Sequence, residues 1–309
     1  MMLTHEVGKH VAYKQMVPDA EAAKKDLFRG IIVNVVAIAI LFTVTLIEPT
    51  ILVPVLTSFG LQMAVFLLHG LPYSSEKYYD LSGSATHFCV VAISLTTCPA
   101  GASAQQVLFG LLSTVWLVRL GTFLYLRILR DGRDERFTEM KKVPLRFMGA
   151  WTIQSLWVVM VQMPVILITR VPDSATPASY AVNGFLMLVW IGAFLIEATA
   201  DVQKSEFRQN PENRNKFIAS GLWAHAQHPN YFGEIMMWVA AAAAASVFGV
   251  ATGQPKMHYA WLSPLITCLL LLKVSGVPML RAANEKKWGT DPGYQHYLQT
   301  TNLLVPWPC

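Results

Sequence analysis

The stretch "WAHAQHPNYFGEIMMWVAAAAAAS", residues 223–246, joins a dense polar cluster directly to an apolar, alanine-rich run. Two histidines, an asparagine, a tyrosine and a glutamate lie within its first twelve residues. The alanines at 240–245 would let neighbouring helices approach closely, as small residues do in membrane bundles. The stretch therefore predicts a membrane helix whose polar end carries chemistry.

Composition extends this prediction to the whole chain. Of its 309 residues, 54% are hydrophobic and 14% are charged, whereas a typical soluble chain has about 25% charged residues. Apolar stretches close to the length that crosses a bilayer recur along the sequence. The predicted fold class is all-α, a polytopic membrane helical bundle in the lipid bilayer. The net charge of +5 is modest and no arginine-rich patch is present, so no nucleic-acid partner is expected.

The apolar stretches predict eight transmembrane helices. The third is the most polar, and the first two could form one hairpin around Pro49 and Pro54, so seven spans remain an alternative. The predicted spans are 31–47, 51–69, 84–103, 106–128, 148–168, 180–198, 231–250 and 259–280.

The distribution of basic residues predicts the orientation. With eight spans and both termini cytoplasmic, 19 of the 24 Lys and Arg residues fall in cytoplasmic segments, and only Arg170 and Lys256 lie in the opposite loops. Such a bias is typical of membrane proteins, whose cytoplasmic loops are rich in Lys and Arg. The predicted organisation is a cytoplasmic N-terminal segment, 1–30, followed by a single membrane domain, 31–309.

The segment "IEATADVQKSEFRQNP", 196–211, follows the sixth span. On a continuing helix, Glu197, Asp201, Lys204 and Arg208 share one face, with the acids first and the bases next. One interpretation is a solvated helix end with ion pairs between successive turns. The other is a binding face, in which carboxylates accept ribose or amide hydrogen bonds and the bases meet phosphates.

The polar cluster of the opening stretch predicts a helix N-terminus. Pro229 disfavours helical geometry at His228 and suits the first position of the following helix. Asn230, Tyr231 and Glu234 then occupy the first turns, where free N–H groups attract anions. The proline break scatters the two histidines and the glutamate, so no metal site is predicted. A purely structural helix start is the alternative.

The segment 275–307 supplies a second basic and aromatic group. Arg281 and Glu285 lie one turn apart, and Trp288, Tyr294 and Tyr297 follow. Interfacial Trp and Tyr residues commonly anchor membrane proteins. Alternatively, aromatic rings beside basic groups could stack on a flat heterocycle and hold its phosphates.

Two features stand out in the front half. Tyr79 and Asp80 precede the third span, and Arg119 lies within the fourth. An arginine at the bilayer centre costs about 2.5–3.5 kcal/mol, so it should face the bundle interior and pair with an acid. Asp80, Glu197 and Asp201 are the candidate partners.

Soluble enzyme templates are absent from the sequence. It contains no GxGxxG after a strand, no GxxxxGK[ST] and no GxSxG. A nucleotide would therefore be held by helix ends and loops rather than by a Rossmann fold.

Five blocks carry a family resemblance: "YDLSGS" at 79–84, "RDERF" at 133–137, "EATADVQKSEF" at 197–207, "GLWAHAQHPNYFGEI" at 221–235 and "NEKKWGTDPGYQHYLQTTNLLVPW" at 284–307. Together they resemble the steroid 5-alpha reductase C-terminal domain family, and most closely an uncharacterised membrane branch of it. Sterol delta-14 and delta-7 reductases and isoprenylcysteine carboxyl methyltransferases share the HPxYxGE-like element. The resemblance covers most of residues 76–307.

The resemblance implies NADPH bound at the cytoplasmic side by the half from about 180 to 309. Asp201 matches an acid that contacts the cofactor, and Glu197 stands where steroid reductases have asparagine. Asn230 matches an asparagine at the nicotinamide end, and His228 matches the histidine of sterol reductases. With the residues chosen above, the predicted cofactor-binding set is Glu197, Asp201, Lys204, Arg208, Trp223, His228, Asn230, Tyr231, Glu234, Arg281, Glu285, Tyr294 and Tyr297.

The leading functional hypothesis is an NADPH-dependent reductase of a C=C bond in a lipophilic substrate. Tyr79 and Asp80 are the candidate proton donors, with Arg119 shaping the local charge. A membrane methyltransferase that uses S-adenosylmethionine is the alternative, and a non-catalytic sterol-binding protein is the third. The resemblance implies a multi-pass protein of the endoplasmic reticulum.

Overall fold

The computed structural model describes residues 20–99, 101–132, 134–172 and 176–306. Over these ranges the chain is helical, without a strand, which confirms the all-α prediction. The principal helices are α1 (Ala20–Ile47), α2 (Leu52–Val65), α3 (Tyr79–Thr96), α4 (Ala104–Asp131), α5 (Pro144–Val161), α6 (Met163–Ile168), α7 (Pro177–Gln209), α8 (Pro229–Thr252), α9 (Leu262–Leu269), α10 (Val277–Trp288) and α11 (Pro292–Thr300).

Six helical segments of this part of the chain are long and apolar enough to cross a membrane. They identify an integral, multi-pass membrane protein. The segments are Ala23–Ile47, Pro49–Tyr73, Ala104–Arg130, Pro177–Gln209, Pro229–Thr252 and Pro255–Trp288.

The other two predicted spans coincide with more polar helices. The stretch 84–103 overlaps α3, which begins with Tyr79 and Asp80 and carries serines, threonines and a histidine. The stretch 148–168 is divided at Gln162 into α5 and α6, because Pro164 lies in the first turn of α6 and lacks the N–H that a continuing helix needs.

The first helix begins earlier than the apolar pattern predicts. α1 starts at Ala20, so the last part of the predicted N-terminal segment is helical. Residues 1–19 of that segment lie outside the described residues.

The last span is not one regular helix. A 3-10 segment, Pro255–Trp261, leads into α9, and a π turn, Leu270–Val274, ends the apolar part. A side chain at Gly276 would collide with the backbone of Leu271, so this break requires glycine. α10 begins directly after this break, and this helix carries Arg281.

Contacts divide the chain into two compact units. Among the described residues, the first lies within 20–89 and 117–158, and the second lies within 90–116 and 159–306. Phe66, Phe137, Phe147 and Trp151 form an aromatic cluster in the core of the first unit. In the second, Trp116 meets Trp238 edge to face, with ring centroids 4.9 Å apart.

Ion pairs fasten the loop between α4 and α5 within the first unit. The Lys141 ammonium lies 2.6 Å from the buried Glu76 carboxylate, which also accepts the Asp134 backbone N–H at 3.0 Å. Burial alone would raise the pKa of Glu76, but Lys141 and the Asp134 N–H lower it below its ordinary value. The Asp134 carboxylate in turn binds Arg136 at 2.6 Å.

This geometry predicts an acid-sensitive contribution to stability. A carboxylate with a lowered native pKa stabilises the fold above its unfolded pKa, and the contribution is lost as pH falls through the native pKa. We expect Glu76→Gln to lower the free energy of unfolding by about 2 kcal/mol at neutral pH, because it removes a charged hydrogen bond. The deficit should shrink on acidification. Thermal unfolding in detergent at neutral and acidic pH measures both effects.

Glu139→Gln is the matched control, because the Glu139–Lys142 pair is largely exposed. Its effect should stay below about 1 kcal/mol, as for other surface ion pairs. Equal destabilisation by both substitutions would contradict a special role for Glu76.

Candidate functional site

The long helix α7 positions the first group of predicted residues. It continues to Gln209 without a break, so Glu197, Asp201, Lys204 and Arg208 occupy successive turns of one helix, as the sequence predicts. Glu197 is buried and Arg208 is exposed. The helix thus carries its acids toward the packed interior and its bases toward its C-terminal end.

The helix α8 begins as the sequence predicts. His228 has non-helical dihedrals, φ −141° and ψ 64°, and Pro229 occupies the first turn. The His228 backbone N–H donates to the Leu303 carbonyl at 3.1 Å, and the Gln227 N–H donates to the Asn302 carbonyl at 2.8 Å. Residues 301–303, the C-terminal strap, therefore fix the backbone that enters α8.

Close helix packing places the start of α8 against α7. A Cβ at Gly233 would lie 2.6 Å from the Ala193 carbonyl oxygen and 2.7 Å from the Glu197 nitrogen, so this crossing requires glycine. One turn earlier on α8, the Asn230 amide donates to the Asp201 carboxylate at 3.1 Å. Two residues of the predicted cofactor set are thus hydrogen-bonded to each other.

A cleft lies between the end of α7, the loop 216–228, α10 and α11. It is open to solvent, and about 80 Å³ of it can hold the centres of water-sized molecules. Trp223, His228, Val277 and Tyr294 are buried in its floor, whereas Arg208, Lys216 and Arg281 are exposed at its rim. The predicted residues that line it are Lys204, Arg208, Trp223, His228, Arg281, Tyr294 and Tyr297.

Lys204 is held in place by an aromatic ring. Its ammonium lies 4.3 Å from the centroid of Trp223, whose indole N–H donates to the Ala200 carbonyl at 2.9 Å. The Tyr297 hydroxyl donates to the Trp223 backbone carbonyl at 2.7 Å. α7, the loop and α11 thus fix one cation at the cleft before any ligand binds.

Sequence reasoning missed Phe217 and Lys216, which also line the cleft. Phe217 meets the rings of Trp288, Tyr294 and Tyr297 at centroid distances of 6.1, 5.2 and 5.6 Å. A single aromatic residue beside a lysine in the otherwise polar loop "NPENRNKF", 210–217, was the available signal. Its aromatic partners lie on α10 and α11, beyond α8 and α9, so the residues around Phe217 in the sequence do not reveal the cluster.

The side chains that line the cleft are basic rather than acidic. Four basic side chains, Lys204, Arg208, Lys216 and Arg281, line it, and none of its described lining residues is Asp or Glu. Burial lowers the pKa of His228 to about 4, and the positive charges of Lys204 and Arg281 add to the decrease. His228 is therefore neutral at pH 7.

The remaining predicted residues do not line the cleft. Glu197, Asp201 and Asn230 lie where α7 and α8 pack, and Tyr231 stacks on His228 with ring centroids 5.1 Å apart. The other two belong to α8 and α10. Glu234 follows in the second turn of α8, and Glu285 lies 3.5 Å from Arg281 on α10.

The predicted proton donors lie in the first unit, whereas the cleft residues belong to the second. The Tyr79 hydroxyl donates to the Ala150 carbonyl at 3.1 Å, and its ring packs among aromatic neighbours. Asp80 accepts a hydrogen bond from Arg127 at 3.3 Å, and Arg119 lies half-buried in α4. The Tyr79 hydroxyl and the Asp80 carboxylate therefore each have a hydrogen-bond partner within the first unit.

The cleft is built from side chains that suit an anionic ligand rather than a metal ion. Across the described residues, no three His, Cys, Asp or Glu side chains are grouped so as to hold a metal. Four cations beside a cluster of aromatic rings suit a phosphorylated compound with a flat heterocycle.

Comparison with known families agrees with the extent of the sequence blocks. The family model described as a protein of unknown function, DUF1295, matches residues 65–301. The chain belongs to the DUF1295 family. This family is a steroid 5-alpha reductase-like group. No curated protein and no solved structure matches the chain. The matched range contains every residue that lines the cleft of this DUF1295 protein.

Proposed function

We propose that this DUF1295 protein is a membrane-embedded, NADPH-dependent reductase of a C=C bond in a lipophilic substrate. The cleft carries the proposal, because its four basic side chains, with no acid among its described lining residues, favour a polyanion. NADPH is such a ligand, with a diphosphate, a 2′-phosphate and two flat heterocycles.

Different side chains of the cleft would bind different parts of this cofactor. Lys204, Arg208, Lys216 and Arg281 would bind phosphate oxygens by charge-assisted hydrogen bonds. The rings around Phe217 would pack against a flat base. When bound, NADPH supplies the hydride that the reduction needs.

Charge argues against the methyltransferase alternative. The sulfonium and ammonium groups of S-adenosylmethionine outweigh its single carboxylate, so the cations of the cleft favour this net positive compound less than the polyanion NADPH. An acid for its ribose is present in Asp201, but this residue lies outside the lining and accepts a hydrogen bond from Asn230. A non-catalytic sterol-binding protein, the third hypothesis, has no need of a cationic, aromatic cleft.

The proposal includes the finer topology. In it, α3 and the pair α5 and α6 join the six candidate spans to give eight crossings, with both termini and the cleft on the cytoplasmic side. The excess of Lys and Arg in those segments supports this orientation. The resemblance to steroid and sterol reductases further supports the endoplasmic reticulum and a lipid substrate.

Ligand-induced stabilisation tests the proposal. A compound that binds only the native protein raises its stability by RT ln(1 + [L]/Kd), which is about 2.7 kcal/mol at one hundred times Kd. In purified protein in detergent, we expect NADPH to raise the unfolding temperature more than NADH at equal concentration. S-adenosylmethionine should have no effect. Stabilisation by S-adenosylmethionine alone would overturn the reductase assignment.

A further inference from the structure

His228 occupies an unusual position in the cleft floor. Its side chain is only 8% exposed, and its ring Nδ1 is buried without a hydrogen-bond partner among the described residues. It begins α8 but makes no side-chain capping hydrogen bond to that helix. The structure therefore holds an imidazole at the cleft whose buried ring nitrogen is not used by the fold.

The surroundings of His228 are positively charged. The titratable groups that line the cleft with it are Lys204 and Arg208 on α7, Lys216 in the loop, Arg281 on α10, and Tyr294 and Tyr297 on α11. Tyr231, on its own helix, stacks on its ring. Without a ligand, the positive charges of this set disfavour an imidazolium.

A bound polyanion would reverse this balance. Phosphate groups placed between Lys204 and Arg281 neutralise the charges that oppose protonation, and they accept hydrogen bonds from an imidazolium. The side chain cannot swing out of the site easily, because its ring is stacked on Tyr231 and its backbone N–H is bound to the strap. The His228 imidazole would then respond to the polyanion by taking up a proton without leaving the site.

We propose that His228 is a proton-linked ligand of the polyanion, so that binding of the cofactor takes up a proton at this residue. The inference rests on the proposed function in naming NADPH as the polyanion. Burial and the neighbouring cations lower the pKa of the ligand-free histidine to about 4, which supports a neutral starting state. The affinity for NADPH should therefore rise as pH falls through the pKa that His228 has in the complex, and stop rising below the ligand-free pKa.

Calorimetric titration in buffers of different ionisation enthalpy measures this proton directly. With NADPH at about pH 6, the wild-type protein should take up more protons per ligand than His228→Gln. The difference between the two isolates the imidazole, because ionisation of the ligand's own phosphates is common to both. His225→Gln is the matched control, since His225 is exposed in the same stretch and does not line the cleft; it should behave as wild type.

Titration with inorganic pyrophosphate distinguishes failure of the proton linkage at His228 from failure of the reductase assignment. If it binds with His228-dependent proton uptake and NADPH does not bind, the linkage stands and the reductase assignment fails. If NADPH or pyrophosphate binds with the same proton uptake in wild type and His228→Gln, the linkage is overturned. Failure of both compounds to bind the folded wild-type protein would also overturn it, because the cleft would then not be a polyanion site.

Discussion

Lys204→Met and Arg281→Met each weaken NADPH binding by roughly 10- to 100-fold, the expected result of removing one charge-assisted hydrogen bond of about 1.5–3 kcal/mol. Lys204 should show the larger effect, because Trp223 already holds its ammonium at the cleft and little ordering is left to do on binding. Direct titration of the purified protein with NADPH gives the dissociation constants.

Lys286→Met is the control for loss of charge. Lys286 lies on the same helix as Arg281, is exposed and does not line the cleft. Its removal should leave the affinity within about twofold of wild type, since exposed charges at a distance are screened by salt. Wild-type affinity in both Lys204→Met and Arg281→Met would contradict a phosphate-binding role for the cleft.

Gly233→Ala lowers the free energy of unfolding by about 1–3 kcal/mol, the usual cost of forcing an extra carbon into a packed contact. The new methyl group would meet backbone atoms of Ala193 and Glu197, which cannot rotate away as a side chain can. α7 and α8 must then move apart, and NADPH binding should weaken as well. Thermal unfolding in detergent, with and without NADPH, measures both losses.

Gly184→Ala provides the comparison on α7. A Cβ at Gly184 meets no atom within 4 Å, and alanine favours a helix by roughly 0.5–1 kcal/mol relative to glycine. This variant should therefore be as stable as wild type or slightly more stable. If Gly233→Ala unfolds at the same temperature as Gly184→Ala, the helices do not approach each other as closely as the structure shows.

The sequence predicts those parts of the site that depend on neighbouring residues. Pro229 restricts the backbone of His228 and starts α8, and both effects are local. The continuation of α7 through Lys204 and Arg208 follows from residues 193–209, which contain neither Gly nor Pro. Helix starts and helix faces could therefore be predicted residue by residue.

Other features depend on contacts far along the chain. Phe217 gains its role from Trp288, Tyr294 and Tyr297, which its own segment does not reveal. The polar residue Tyr79 looks available for proton transfer in the sequence, yet its hydroxyl donates to the Ala150 carbonyl. Long-range partners such as these cannot be predicted from composition or spacing.

The C-terminal strap bears on how the protein is made. The Gln227 side chain donates to the Thr301 carbonyl across 74 residues, and the neighbouring backbone is bound to Asn302 and Leu303. During synthesis, α7 and α8 can therefore pair in the membrane well before the strap has left the ribosome. Nascent chains would then pass through a stage with inserted helices and an unfinished cleft. A ligand of the cleft can stabilise the protein only after that stage, when residues 301–303 have left the ribosome.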